Sequence, residues 1–331
     1  MTATIEDALA AALAAGAEVR GSTSPNPPVG AAILSADGEI VGVGGTQPAG
    51  GPHAEVMALR RAGERARGGT AVVTLEPCNH SGRTGPCAQA LVDAAVDTVC
   101  YLHPDPNEQA AGGAEHLRAH GITVRRLDAQ APDLLPWLTA TRSGRPHVTL
   151  KFAQTLDGHT AAPDGTSQWI TGEAARRHVH EDRRRRDAII VGTGTALADD
   201  PSLTARLADG ALHDRQPRRV VIGTRDLAGS ATNLHRLGFE QYPDIPGALE
   251  ALWESGARDI LVEGGATLAS GMLEAGVVDA VQAYVAPTLL GGGAGVLARA
   301  VAGTLADAAV FDLADVTRLG GDVLLTLTRK D

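Results

Sequence analysis

The chain has 331 residues, 44% hydrophobic and 21% charged, a balance that supports buried cores, and its length suggests two domains. A formal net charge of −10, with the basic run at 183–186 hemmed by Glu181, Asp182 and Asp187, argues against a broad nucleic-acid surface. No apolar run reaches the roughly 20 residues of a membrane helix and the first residues lack the basic start of a signal peptide, so the cytoplasm is the expected location, where Cys78, Cys87 and Cys100 stay reduced.

The N-terminal stretch MTATIEDALAAALAAG reads as an amphipathic helix, and the two apolar runs around Asp37-Gly38 predict a β-hairpin over about 30–45. A helix from about 54 to 63 follows. Next come strand TAVVTL, helix CAQALVDAA, strand DTVCYL, helix AEHLRAHG, strand ITVRRL and a helix near 133–141. Strands alternating with helices of this length predict a three-layer α/β domain with a mostly parallel second half. The polar TRSGRP at 141–146 reads as a linker, giving domains 1–144 and 145–331. Beyond it the alternation restarts with strand PHVTLKFAQ, a helix near 172–185, strands DAIIVG and RRVVIG, a helix near 246–255, strand DILVEGG, helix TLASGMLEAG and strand AVQAYVAP. A second α/β domain follows from that pattern.

His53 and Glu55 stand two apart where the helix near 54 begins, and EPCNHSGRTGPC carries Cys78 and Cys87 at the ends of predicted elements. A catalytic zinc site uses three protein ligands and leaves a fourth position for water; one histidine and two cysteines supply that set. Zinc nucleobase deaminases are marked by H-x-E with P-C-x-x-C, the glutamate acting as proton shuttle and not as ligand. H-A-E and P-C are present here, but eight residues separate the cysteines. Read singly, His53 and Glu55 are polar residues of a first turn and the cysteines are small buried hydrophobes; the four together, in this order, read as a metal site. His80, between the cysteines, reads as a loop residue, because a fourth ligand would displace the water.

In the second half no G-x-G-x-x-G follows an early strand, so a Rossmann site is not supported. Gly264-Gly265 instead ends a strand and opens a helix, either a phosphate cradle or a tight turn. Arg184, Arg185 and Arg186 read as a solvated helix face. Lys151, one of two lysines in the chain, is expected near a sugar phosphate or the reacting carbon, or else is a surface residue.

The motifs PNPPVGAAI, HAEVMALRRAG, TLEPCNHSGRTGPC and DPN at 105–107, followed by KFAQTLDGHTA, SQWIT, GTGTALADDPSLTAR, VEGGATLASG and YVAPTLLGG, resemble the bifunctional riboflavin-biosynthesis deaminase/reductase family over nearly the whole chain. The resemblance implies a cytidine-deaminase-like domain followed by a dihydrofolate-reductase-like one, with Zn2+ in the first and NADPH in the second. It implies that Asn26 holds a pyrimidine ring and that Arg83, Asp105 and Asn107 lie in its pocket. In the second domain Ala153, Trp169, Thr195, Asp199, Thr224 and the segment Gly265, Ala266, Thr267, Leu268, Ala269, Ser270 and Gly271 would contact the cofactor. Ser167, Arg183, Leu203, Arg206 and Glu263 would contact substrate, Arg183 and Arg206 as phosphate forks. The expected partner is a small pyrimidine nucleotide, with neither nucleic acid nor membrane; self-association is compatible with the sequence. Two departures stand out: Thr46 replaces a histidine frequent in the family, and the segment 225–258 is short and offers no clear strand before 259. A deaminase with an impaired, nucleotide-binding or structural second domain is the alternative reading. A nucleic-acid base deaminase is a third, disfavoured by the acidic charge and the lack of aromatic-basic stretches.

Overall fold

A computed structural model describes residues 2–80 and 85–330. The chain divides into two compact units, Met1–Gly144 and Arg145–Asp331.

In the first unit Thr4 caps α1 (Ile5–Val19) through a reciprocal box: its hydroxyl accepts from the Asp7 N–H while the Asp7 carboxylate accepts from the Thr4 N–H. The hairpin β1 (Gly30–Leu34) and β2 (Ile40–Gly45) turns through Gly38 at φ 81°, a left-handed conformation that favours glycine. Then follow α2 (Ala54–Ala62), β3 (Thr70–Leu75), α3 (Cys87–Asp93), β4 (Thr98–His103), α4 (Gly113–Ala119), β5 (Thr123–Arg126) and α5 (Leu135–Ser143). The sheet runs β2-β1-β3-β4-β5, antiparallel on its first side and parallel from β3 onward. Because alternate strand residues face opposite sides, Ala32, Leu34 and Val72 pack under Ala8 and Ala12 of α1, while Ala31, Ile33 and Val73 pack under Ala54 and Ala58 of α2. The result is three layers, with the carboxyl ends of parallel β3 and β4 opening beside the start of α2.

The second unit contains β6 (His147–Thr155), β7 (His159–Ala161), α6 (Glu173–Arg183), β8 (Ala188–Gly192), α7 (Thr193–Asp199), β9 (Arg218–Ile222), α8 (Thr232–Leu237), β10 (Glu240–Tyr242) and α9 (Ile245–Glu254). It continues with β11 (Asp259–Val262), α10 (Ala266–Glu274), β12 (Ala280–Ala286), β13 (Ala294–Gly295), β14 (Phe311–Leu319) and β15 (Asp322–Arg329). Its main sheet runs β10-β9-β8-β11-β6-β12-β15-β14, parallel from β10 to β12 and antiparallel thereafter.

Two expectations change, and some elements were not anticipated. The short segment does carry a strand: β10 extends the sheet parallel to β9. The hairpin β14–β15 completes the other edge, and α7 follows β8 directly. Arg186 is not solvated but 2% exposed. It donates to Asp182 Oδ1 at 2.8 Å, Asp259 Oδ1 at 2.7 Å and Thr149 Oγ1 at 2.9 Å, tying α6 to β11 and β6. A buried charge persists only when so paired.

Candidate active sites

His53 sits at the N-cap of α2, Cys78 lies three residues past β3, and Cys87 opens α3, so element ends converge on one point. His53 Nδ1 is 3.5 Å from Cys78 Sγ and 3.3 Å from Cys87 Sγ, and the three ligand atoms all lie within 4.8 Å of one another. Tetrahedral zinc with ordinary Zn–N and Zn–S bonds spaces such atoms about 3.5 Å apart, and both nitrogen–sulfur separations match that spacing. Among the described residues it is the one group of three metal-ligating side chains.

The electrostatics agree with that donor set. Cys78 is drawn down to about 4, first by the Cys87 thiol that donates to it, and the Cys87 backbone N–H also donates to Cys78 Sγ at 3.4 Å. Cys87 is pushed up in turn, by that same contact and by burial. Two thiols and an imidazole sharing too few protons are what a divalent cation resolves, since it ionises its thiol ligands outright. Glu55, 4% exposed, is raised to about 7, first by burial and then by the charge on Cys78. A carboxyl balanced near neutrality suits a proton carrier.

A cavity of ≈ 240 Å³ opens over this group, lined also by Asn26, Thr46, Asp105 and Asn107. The Asn26 backbone is pinned by Thr23, whose hydroxyl donates to its carbonyl at 2.9 Å; its carboxamide has no partner among the described residues and faces the cavity. Asp105 accepts from the Asn107 N–H at 2.9 Å and is raised by burial. Thr46 is buried and accepts from the Val29 N–H at 3.3 Å, so where the family often has an imidazole the cavity wall is a hydroxyl committed to the backbone. Arg83 lies outside the described residues. His80 is exposed on the cavity rim and outside the ligand group. Two wall residues escaped the sequence reading. Glu76 accepts from the Ala114 N–H at 2.9 Å, and Trp137 donates to the Pro25 carbonyl at 2.9 Å, fixing the segment that carries Asn26. Glu76 precedes Pro77-Cys78 and so lay within the motif; Trp137 had no local signal.

In the second unit Arg183 grips Glu263 with two parallel bonds of 2.7 and 2.8 Å and donates to the Thr204 carbonyl at 3.0 Å. Lys151 Nζ stands 3.6 Å from Glu263 Oε2 and 5.5 Å from the centre of the Tyr284 ring. Burial resists ionisation of Glu263, but Arg183 and Lys151 overcome it and hold the carboxyl at about 2. The Arg183 fork is therefore already occupied by a carboxylate, and Lys151 is held against that same carboxylate rather than solvated. Arg206 is turned to Thr204 Oγ1 at 3.1 Å and the Gly210 carbonyl at 3.0 Å. Leu203 is buried at φ 48°, whereas Ser167 is exposed.

A cleft of ≈ 680 Å³ runs along the carboxyl ends of β9, β8 and β11. Thr195, Asp199, Gly265, Ala266, Thr267, Leu268 and Gly271 line it. Ala269 and Ser270 turn into the core, Ser270 donating to the Ala266 carbonyl at 3.0 Å, so the contact segment narrows. Ala153, Trp169 and Thr224 lie outside the lining; Trp169 is exposed with the Arg176 guanidinium 4.7 Å from its ring centre. The N-terminus of α10 has no side-chain cap, Gly265 donates its N–H to Thr195 Oγ1 at 3.0 Å, and the Ala266 and Thr267 N–H groups have no partner among the described residues. This open end suits an anionic phosphate. Arg225, Asp244 and Ile245 also line the cleft and were not anticipated, since no short motif marks them.

Comparison with known proteins places both units. The family described as the cytidine and deoxycytidylate deaminase zinc-binding region matches residues 3–103, and the RibD C-terminal domain family matches 146–325. The riboflavin biosynthesis protein RibD of Corynebacterium ammoniagenes is 60% identical over 313 residues, covering 93% of each chain. That of Mycobacterium tuberculosis is 48% identical over 333 residues, covering 98% of each. Among solved structures, Acinetobacter baumannii RibD superposes with a TM-score of 0.86 at 38% identity, covering 99% of each chain. A deaminase/reductase from Thermotoga maritima gives 0.87 at 32%, covering 98% of this chain and 99% of that one.

Proposed function

The chain belongs to the RibD family of bifunctional riboflavin-biosynthesis enzymes, and from that premise we propose how its two units divide the work. It is an enzyme of riboflavin biosynthesis with a deaminase and a reductase activity. The first unit deaminates diaminohydroxyphosphoribosylaminopyrimidine phosphate, and the second reduces the resulting 5-amino-6-(5-phosphoribosylamino)uracil, the pair of activities named for the Thermotoga relative.

The observation that carries the reading is the convergence of His53, Cys78 and Cys87 beside a buried Glu55 in a cavity of ≈ 240 Å³. His53, Cys78 and Cys87 would hold zinc, which when bound supplies a Lewis acid that makes water nucleophilic near neutral pH. Glu55 takes a proton from the attacking water and delivers it to the leaving nitrogen, so that one water is consumed, one ammonia leaves and a C–N bond becomes a carbonyl. Asn26 presents its carboxamide to the ring, and Asp105 and Asn107 close the far wall.

For the second unit the cleft with its open α10 N-terminus supports NADPH, which supplies the hydride to C1′ of the opened ribose. Lys151 and Glu263 bound the reaction end: the Lys151 ammonium holds the sugar side chain, and Glu263, kept anionic by Arg183, fixes that ammonium and accepts from substrate hydroxyls. Arg206 meets the substrate phosphate after leaving its backbone carbonyl. An impaired second domain is not favoured, since the relatives match across both halves. No helix among the described residues is long and apolar enough to cross a membrane, and the three unpaired cysteines support the cytoplasm as location.

The test supplies the diaminopyrimidine ribosylamino phosphate with and without NADPH and follows products by mass. Deamination alone without NADPH, and a further two-hydrogen gain with it, are expected. Reduction preceding deamination would reverse the assigned order.

A further inference from the structure

We propose that Arg225 reads the 2′-phosphate of the nicotinamide dinucleotide, so that this side chain makes the second unit select NADPH over NADH. The inference rests on the cleft holding that cofactor.

The strand order lays the subsites out in a row. Lys151 lies on β6, Gly265 follows β11, Gly194 follows β8 and Arg225 follows β9, and these four strands are consecutive neighbours. Three strand spacings span about 14 Å. With the reacting ring at β6 and the diphosphate at the open α10 N-terminus, the adenosine ribose falls over β8 and β9. Beyond it Ile245, Pro246 and Ala275 offer an apolar wall for the adenine.

Arg225 is the only cationic residue lining the cleft among the described residues. Its Nε donates to Thr193 Oγ1 at 3.1 Å, and Nη2 lies 2.8 Å from where a Cβ on Gly194 would stand, so the guanidinium is laid across the β8–α7 turn. No carboxylate pairs with it among the described residues. Of the acids in the lining, Asp244 is spent on capping α9 through the Gly247 N–H at 2.9 Å. Nucleotide sites that prefer a free 2′-hydroxyl place an acid at the ribose, whereas an arginine there accommodates a 2′-phosphate, which it grips with charge-assisted bonds.

The experiment titrates the full-length protein and its Arg225→Gln and Arg225→Lys variants with 2′,5′-ADP and with 5′-AMP by calorimetry, and assays NADPH oxidation in parallel. The wild type should bind 2′,5′-ADP about 30-fold more tightly than 5′-AMP; Gln should abolish that preference while 5′-AMP affinity stays level, and Lys should restore part of it. Unaltered deamination shows that each variant is folded in its first unit, and a circular dichroism melt checks the second. Equal wild-type affinity for the two probes, or a preference that survives Arg225→Gln, overturns the assignment. Wild-type protein that shows the preference yet never oxidises NADPH would instead sink the reductase reading while leaving Arg225 as a phosphate reader.

Discussion

Glu55 and Glu263 are the same side chain held at opposite ends of its acid range. Burial and then the charge on Cys78 raise Glu55 to about 7, while Arg183 and Lys151, acting against desolvation, bring Glu263 to about 2. Glu55→Gln keeps the shape but cannot carry a proton, so deamination should fall by about 10²–10⁴-fold with zinc content unchanged by atomic absorption; Cys87→Ser should instead lower the zinc content itself. For Glu263 the folded value lies below the ordinary 4.5. Its ion pairs therefore stabilise fully above that ordinary value and are lost as pH falls from about 4.5 through 2, on the order of 3 kcal/mol. Urea denaturation of wild type and Glu263→Gln between pH 6 and 2 should show their difference shrinking across that window; a pH-independent difference would remove the pairing account. Arg186→Ala removes the guanidinium that bridges the buried Asp182 and Asp259 and should cost about 3–5 kcal/mol in urea denaturation. The sequence showed His53, Glu55, Cys78 and Cys87 because their chemistry is local to two motifs. Arg186 was misread because it lies beyond the end of α6, and its carboxylate partners, Asp182 in the last turn of that helix and Asp259 far along the chain, close around it only in three dimensions.

At the scale of elements, close backbone approach shapes the deaminase layers. A Cβ on Gly30 would fall 1.8 Å from the Ala12 carbonyl oxygen, and one on Gly42 would fall 2.1 Å from that of Ala58, so α1 and α2 rest directly on the hairpin. Gly42→Ala must displace α2, whose first residue follows the His53 cap, and should destabilise the protein by about 1–3 kcal/mol with weakened zinc retention during dialysis. The hairpin was legible because Asp37-Gly38 sits between alternating apolar runs. β10 was not, since Glu240-Gln241-Tyr242 is three residues long and polar at a sheet edge. β14 was hidden for a related reason: its side chains are largely exposed, which removes the buried alternation that reveals a strand.

At the scale of the molecule, each unit places its chemistry at the carboxyl ends of parallel strands, where helix N-termini also gather. Each such edge is built within one unit, so a strong chelator should abolish deamination while NADPH oxidation on substrate deaminated beforehand continues at its original rate; a spectrophotometric assay at 340 nm distinguishes the two. Lysine is nearly absent from the chain: only Lys151 and Lys330 occur, and Lys151 is pressed between Glu263 and Tyr284 while Lys330 is exposed. Apart from the chain's α-amine, acylating reagents thus meet one open amine and one guarded amine. Peptide mass mapping after brief acetylation becomes an occupancy gauge for the reductase site, with Lys330 as the internal standard and Lys151 reporting whether a ligand shields it.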